Sequence, residues 1–288
     1  MIVAHYLNVV VFRVAQSFYT GKFRIESASN GTKYECDRRV WEGELECSNI
    51  LIRSDSAIGH YEKRYAETVA MAQDIYEGWS IMAGIMTVTE KQAAHDRIYV
   101  RLYGPDTNMN VFYDDISIVP IPKSCESLVL NGGFEGGDSR FWLPSDRRYI
   151  DTDIASFGAN GSKYSLMVQK YTSNRIIQNL DTRCLVEGQE FVISAKFKLI
   201  NATDLTSGVE CTPSLVNVYD PKHCPTITIR GTECGGTNQE YVFWNDIDQF
   251  QWDPNDFNDY EKVFPVGADL ALCEVSIFSR NILIMIYT

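Results

Sequence analysis

The 288-residue sequence predicts an all-β protein made of antiparallel sandwiches. Three observations carry that reading. Helical periodicity is scarce along the chain. Short alternating runs separated by Gly, Asn, Asp and Pro take its place: Phe23 and Ile25 alternate with Arg24 and Glu26, and Ile98, Val100 and Leu102 alternate with Tyr99, Arg101 and Tyr103. Each run offers one face to a core. The chain also repeats itself in order, which points to two copies of one fold.

The elements follow from that repeat. Residues 1–16, MIVAHYLNVVVFRVAQ, hold an apolar patch interrupted by His5 and Asn8 and lack a basic start, so they make a poor secretory signal. KFRI at residues 22–25 matches KFKL at 196–199, and Cys36 matches Cys211. CSNILIR at 47–53 matches CPTITIR at 224–230, and IYVRLY at 98–103 matches the alternation of CEVSIF at 273–278. The first copy runs on to FYDDISI at 112–118; the second opens with LVLNGGFE at 128–135. The predicted organisation is a first unit at 1–120 lacking its N-terminal strands, a linker at 121–125, and a second unit at 126–288 lacking its closing strand. The final NILIMIYT, 281–288, reads either as an edge strand or as sequence unrelated to the fold. The second reading is preferred, because an uncharged hydrophobic end invites aggregation.

Composition bounds the function. A formal charge of −12 and a pI near 4.8 argue against nucleic-acid binding, which needs clustered Lys and Arg. An acidic surface suits neutral sugars or cations such as Ca²⁺. No run approaches the ~18–20 apolar residues of a transmembrane helix. The eight cysteines show no zinc spacing, which leans towards disulfides and an oxidising compartment. Cys36 with Cys47 and Cys211 with Cys224 recur at nearly the same separation and are paired within each copy, whereas the connectivity of Cys125, Cys184, Cys234 and Cys273 stays open. Asn30, Asn160 and Asn201 head acceptor tripeptides for N-glycosylation. His5, His60, His95 and His223 are scattered, no nucleophile or nucleotide motif occurs, and two binding-type units leave no stretch for a catalytic barrel. The chain reads as a non-enzyme.

Taken in order, LVLNGGFEGGDSRFW at 128–142, GSKYSLMVQ at 161–169, IIQNL at 176–180, VEGQEFVISAKFKL at 186–199, and the first copy's RIYVRLYGP and FYDDISIVP resemble the sugar-binding jelly rolls of carbohydrate-binding module families 4, 9 and 22. The likeness covers about 18–120 and 128–278, and fails at the first residues, the last eight, and the insertion at 205–224. It implies face-to-face antiparallel sheets of the galactose-binding-like type, non-catalytic binding of polysaccharide, frequent linkage to a glycoside hydrolase, and often a structural Ca²⁺ near the domain's chain ends. The resemblance gives Glu135 and a closing-strand aspartate, Asp114 or Asp115, as ligands to that ion. These halves fall in different copies, so weak Ca²⁺ binding is expected unless the closing strand folds back and lets Asp115 and Glu135 share a site. Asp114 and Asp115 read equally as caps of an edge strand.

Sugar rings present flat C–H faces that stack on aromatics, while their hydroxyls need polar partners. YVFWNDIDQFQW at 241–252 mixes both: Tyr241, Trp244 and Trp252 are candidate platforms, with Asn245, Asp246, Gln249 and Gln251 as hydrogen-bonding groups. Tyr149 is a rim candidate, and Trp142 is read as packed. The matching stretch of the first copy carries Tyr61, Tyr65 and Tyr76 but no Trp, so its binding is expected to be different or weaker. Arg230 and its counterpart Arg53 serve either as sugar or carboxylate ligands or as members of cross-strand ion pairs. Gln178 is either a ligand contact or an internal hydrogen bond. The leading expectation is an extracellular glycan-binding tandem. The alternatives are an accessory region of a secreted glycoside hydrolase and an adhesive sandwich that binds protein.

Overall fold

A computed structural model describes residues 7–8, 15–37, 46–56, 59–69, 78–88, 97–105, 108–144, 151–169, 175–201, 204, 206–211, 224–232, 241–245, 252–268, 270–280 and 283–287. The chain divides into two compact units at Lys123 and Ser124, and all described strand pairs in both are antiparallel.

The first unit holds β1 (Leu7–Asn8), β2 (Ala15–Ser27), β3 (Lys33–Tyr34), β4 (Asn49–Ser56), β5 (Gly59–Thr68), β6 (Ser80–Val88), β7 (Arg97–Tyr103) and β8 (Met109–Ile121). They form one sheet in the order β1-β7-β4-β5-β6-β2-β3, with β8 also on β2. That sheet folds over on itself. Tyr19, Phe23 and Ile25 of β2 and Met82 and Met86 of β6 share a core with Ile50 of β4 and Val100 and Leu102 of β7. β5 makes the corner, pairing with β4 and then, at Glu67 and Thr68, with β6. The alternation of β2 sets the layer: Tyr19, Phe23 and Ile25 are buried while Lys22 and Arg24 are half-exposed. Each such apolar side chain contributes ~1.5–3 kcal/mol by leaving water. β8 continues through Pro120, which an edge strand tolerates.

The second unit holds β9 (Leu143–Pro144), β10 (Asp151–Ala155), β11 (Ser165–Gln169), β12 (Arg175–Asn179), β13 (Glu190–Lys198), β14 (Thr226–Thr232), β15 (Tyr241–Asn245), β16 (Asn258–Pro265), β17 (Glu274–Arg280) and β18 (Leu283–Tyr287). One sheet runs β10-β11-β18-β13-β16 and the other β15-β14-β17-β12-β9. Leu166, Ala195, Phe197 and Phe264 from the first meet Ile176, Ile227, Ile229, Val275 and Ile277 from the second.

The repeat motifs fall on equivalent strands. β2 pairs with β6 and β8 as β13 pairs with β16 and β18; β4 pairs with β5 and β7 as β14 pairs with β15 and β17; β1 lies on β7 as β12 lies on β17. The expectation that the second unit lacks a closing strand is corrected here. β18 takes the position of β8, with Lys196 opposite Met285 on one side and Leu166 opposite Ile284 on the other. β13 covers one edge along Leu283–Tyr287, and β11 covers the other at Leu283 and Ile284, which shields much of this apolar run from pairing with another chain.

Disulfides join Cys36 to Cys47, Cys211 to Cys224 and Cys125 to Cys184. Cys273 is also disulfide-bonded, and Cys234 lies outside the described residues. Among the described residues no helix is long and apolar enough to cross a membrane.

Candidate functional site

The outward face of the β2-β6-β8 layer carries a cluster of aromatic, charged and amide side chains. Opposite-residue pairs on β2 and β8 put Glu26 across from Asn110, Arg24 across from Phe112, and Lys22 across from Asp114. Strand alternation aims these side chains away from the core, and Asn110, Phe112 and Asp114 are exposed. The Arg24 guanidinium lies 5.0 Å from the ring centroid of Trp79, just before β6, and 5.2 Å from that of Phe112. Its Nε sits 2.8 Å from Glu26 Oε1. The cation thus fixes two aromatic rings, and Phe112 is 40% exposed. Rings, a guanidinium, a carboxylate and an amide stand together on one face. The sequence reading did not select Trp79 or Phe112. For Phe112 the signal was its alternation with Asn110 and Asp114 on β8.

At the next position the ladder changes. Thr20 faces Ser117 but Lys22 faces Asp114, so β8 carries an extra residue in a bulge. Asp115 occupies it with φ +50°, and its carboxylate accepts from Lys22 Nζ at 2.6 Å. Gly21 lies opposite, where a Cβ would come within 2.9 Å of Met82 Cε and 3.2 Å of Ile116 Cγ1.

The carboxylates expected to hold Ca²⁺ are engaged by protein groups. Asp114 Oδ1 accepts from the Asp115 amide at 2.8 Å, Asp115 is paired with Lys22, and Glu135 Oε1 accepts from Ser162 Oγ. Among the described residues no group of three or more His, Cys, Asp or Glu could hold a metal ion. Asp115 and Glu135 belong to different units. This donor set does not fit the six to eight oxygens that Ca²⁺ takes.

The NGGFE segment instead builds the second sandwich. Positive φ falls at Asn131 (52°), Phe134 (54°) and Gly137 (69°). Asn131 Nδ2 donates to the carbonyls of Asp138 and Arg140, and the Gly137 amide closes on the Phe134 carbonyl at 2.9 Å. Phe134 is fully buried, which holds a bulky residue in a region it otherwise avoids. Trp142 packs against it at 6.1 Å between ring centroids and donates its indole N–H to the Asn131 carbonyl. Gln178, 1% exposed, makes an internal contact: Oε1 accepts from the Leu130 amide at 2.7 Å and Nε2 donates to the Leu130 carbonyl at 2.8 Å.

The second unit's predicted platform is placed in part. Tyr241, Trp244 and Asn245 lie on β15, opposite Gly231, Thr228 and Ile227. Arg230 lies opposite Val242 and Ser276, and Arg53 opposite Glu62 and Tyr99. Trp252 donates its indole N–H to the Val209 carbonyl at 2.9 Å and packs against the core, so it wedges the sandwich instead of standing out as a platform. Tyr149, Gln249, Asp246, Gln251 and Tyr76 lie outside the described residues.

No family model matches the chain, and no curated protein matches it. Among solved structures, the N-terminal tandem CBM22-1-CBM22-2 domain of Paenibacillus barcinonensis Xyn10C is similar at 13% identity and a TM-score of 0.35, covering 96% of this chain and 74% of that one. A likeness at that level leaves the reading to the strands and side chains. Those define a tandem of antiparallel β-sandwiches.

Proposed function

We propose that the chain binds polysaccharide without turning it over, and that it works outside the cell. The observation that carries this is the outward row of Trp79, Arg24 and Phe112, flanked by Glu26 and Asn110. A pyranose ring laid on Phe112 or Trp79 covers apolar ring surface, and its hydroxyls meet a donor in Arg24 and acceptors in Glu26 and Asn110. The second unit adds Trp244 and Arg230, which the β14–β15 register puts on the face opposite to Ile227 and Ile229, to the same task. An oxidising compartment is supported by the three disulfides whose two cysteines are both described, and Asn30, Asn160 and Asn201, all exposed, are available for glycosylation. In this reading the chain serves as a targeting module, of the kind that accompanies a secreted glycoside hydrolase.

Native affinity electrophoresis on a panel of polysaccharides tests the proposal. At least one glycan should retard the protein, and Trp79→Ala and Phe112→Ala should each weaken binding by about 3- to 10-fold. Unretarded migration on every glycan by demonstrably folded protein would leave the protein-adhesive reading in its place.

A further inference from the structure

A second site lies inside the second unit. A cavity of about 530 Å³ opens between its two sheets, walled by Leu180, Ile193, Ile229, Phe264 and Ile277, none more than 8% exposed. Residues 125–129 form a strap along one side. The strap is fixed at both ends: Cys125 is disulfide-bonded to Cys184, and the Gln178 amide grips both backbone groups of Leu130. A strap held in this way keeps the space open before any ligand arrives. The volume falls within the ~300–1,000 Å³ of small-molecule sites.

The mouth differs in character from the walls. Among the described residues, the charged side chains that line the cavity are both carboxylates, Glu126 on the strap and Glu190 at the start of β13, and both residues are exposed. Ser127 Oγ donates to the Val129 carbonyl, and Gln189 Oε1 accepts from the Val186 amide. Val192, 58% exposed, adds an apolar lip. Apolar walls leave sugar hydroxyls without partners, and an acidic mouth repels an anionic head.

We propose that this cavity binds a small molecule with an apolar body and one positive charge, the body between the sheets and the ammonium between Glu126 and Glu190. The site is separate from the glycan platform and takes a different chemical class. Two probes of like body and opposite charge, phenylbutylammonium and phenylbutyrate, test it on the isotope-labelled full chain by amide chemical shifts. The ammonium should shift Leu128, Ile193 and Ile229 saturably, with phenylbutyrate at least about fivefold weaker. The double variant Glu126→Gln, Glu190→Gln, whose changes lie at the surface, should keep those shifts and lose the preference. The proposal is overturned if neither probe moves these amides in folded protein, if both bind alike, or if the shifts fall elsewhere.

Discussion

Tyr19 is buried in the first sandwich, with its hydroxyl donating to Met86 Sδ at 3.1 Å. Burial pushes its phenol well above the ordinary value, and burial raises Tyr113 too, against the opposing effect of its hydrogen bond with Ser48. Both phenols stay protonated in the fold while the unfolded chain ionises near pH 10. Their contribution is therefore complete below about pH 10 and lost as pH rises beyond it. The first unit's melting temperature should fall between about pH 9 and pH 11, and Tyr19→Phe should flatten that slope. Asp204 shifts the other way: the Ser207 and Thr206 amides hold its carboxyl down at about 2. A carboxyl-resolved NMR titration should place its midpoint there, and its support for the turn is present above the unfolded value and lost as pH falls through about 2. Gln178→Ala would orphan two backbone groups of Leu130 and should cost the second unit about 2 kcal/mol in urea unfolding. Single residues are also where the sequence is hardest to read. Gln178 looks the same as a ligand contact or an internal clamp until its distance to Leu130 is known. Trp79 stands alone before its strand, and only the register of β8 against β2 brings Phe112 to the other side of Arg24.

At the scale of elements the sequence is far more legible. KFRI and KFKL, and the two Cys-led strand motifs, land on strands with the same partners, because period-two alternation fixes which face meets the core. The last strand escapes that logic. NILIMIYT neither alternates nor carries the acidic pair of FYDDISI, yet it lies between β13 and β11. Where both edges are bonded, an unbroken apolar run is compatible with a strand, and pattern alone does not separate it from foreign sequence. Ending the chain after Arg280 would strip one edge each from β13 and β11. Such a protein should express as insoluble material or show the second unit unfolded by circular dichroism, whereas a dispensable tail would leave the melt unchanged. The bulge between β2 and β8 gives a second handle. Gly21→Ala places a methyl against Met82 and Ile116 and should cost the first unit about 1–3 kcal/mol, read from its thermal transition.

Across the whole molecule, the two sandwiches share a topology but differ in how they are cross-linked. The first unit has the short Cys36–Cys47 bridge, with a sequence separation of 11. The second has the similar Cys211–Cys224 bridge, separation 13, a disulfide at Cys273, and also Cys125–Cys184, separation 59, which ties the start of the unit to the turn before β13. By loop-closure entropy the short bridges each stabilise by about 3 kcal/mol and the long one by about 4 kcal/mol. Reduction should therefore lower the second unit's unfolding temperature more than the first's, with hydrogen exchange assigning each transition to its unit. The Cys125→Ala, Cys184→Ala variant isolates the long bridge. It should destabilise the second unit by about 4 kcal/mol while leaving the first unit's transition in place. The same variant frees one end of the strap over the apolar cavity, so protection of the amides at 125–129 should fall with it. A strap that stays protected without its bridge would show that Gln178 and the packing of Leu128 and Val129 suffice to hold it, and that the long disulfide acts only on the unfolded chain.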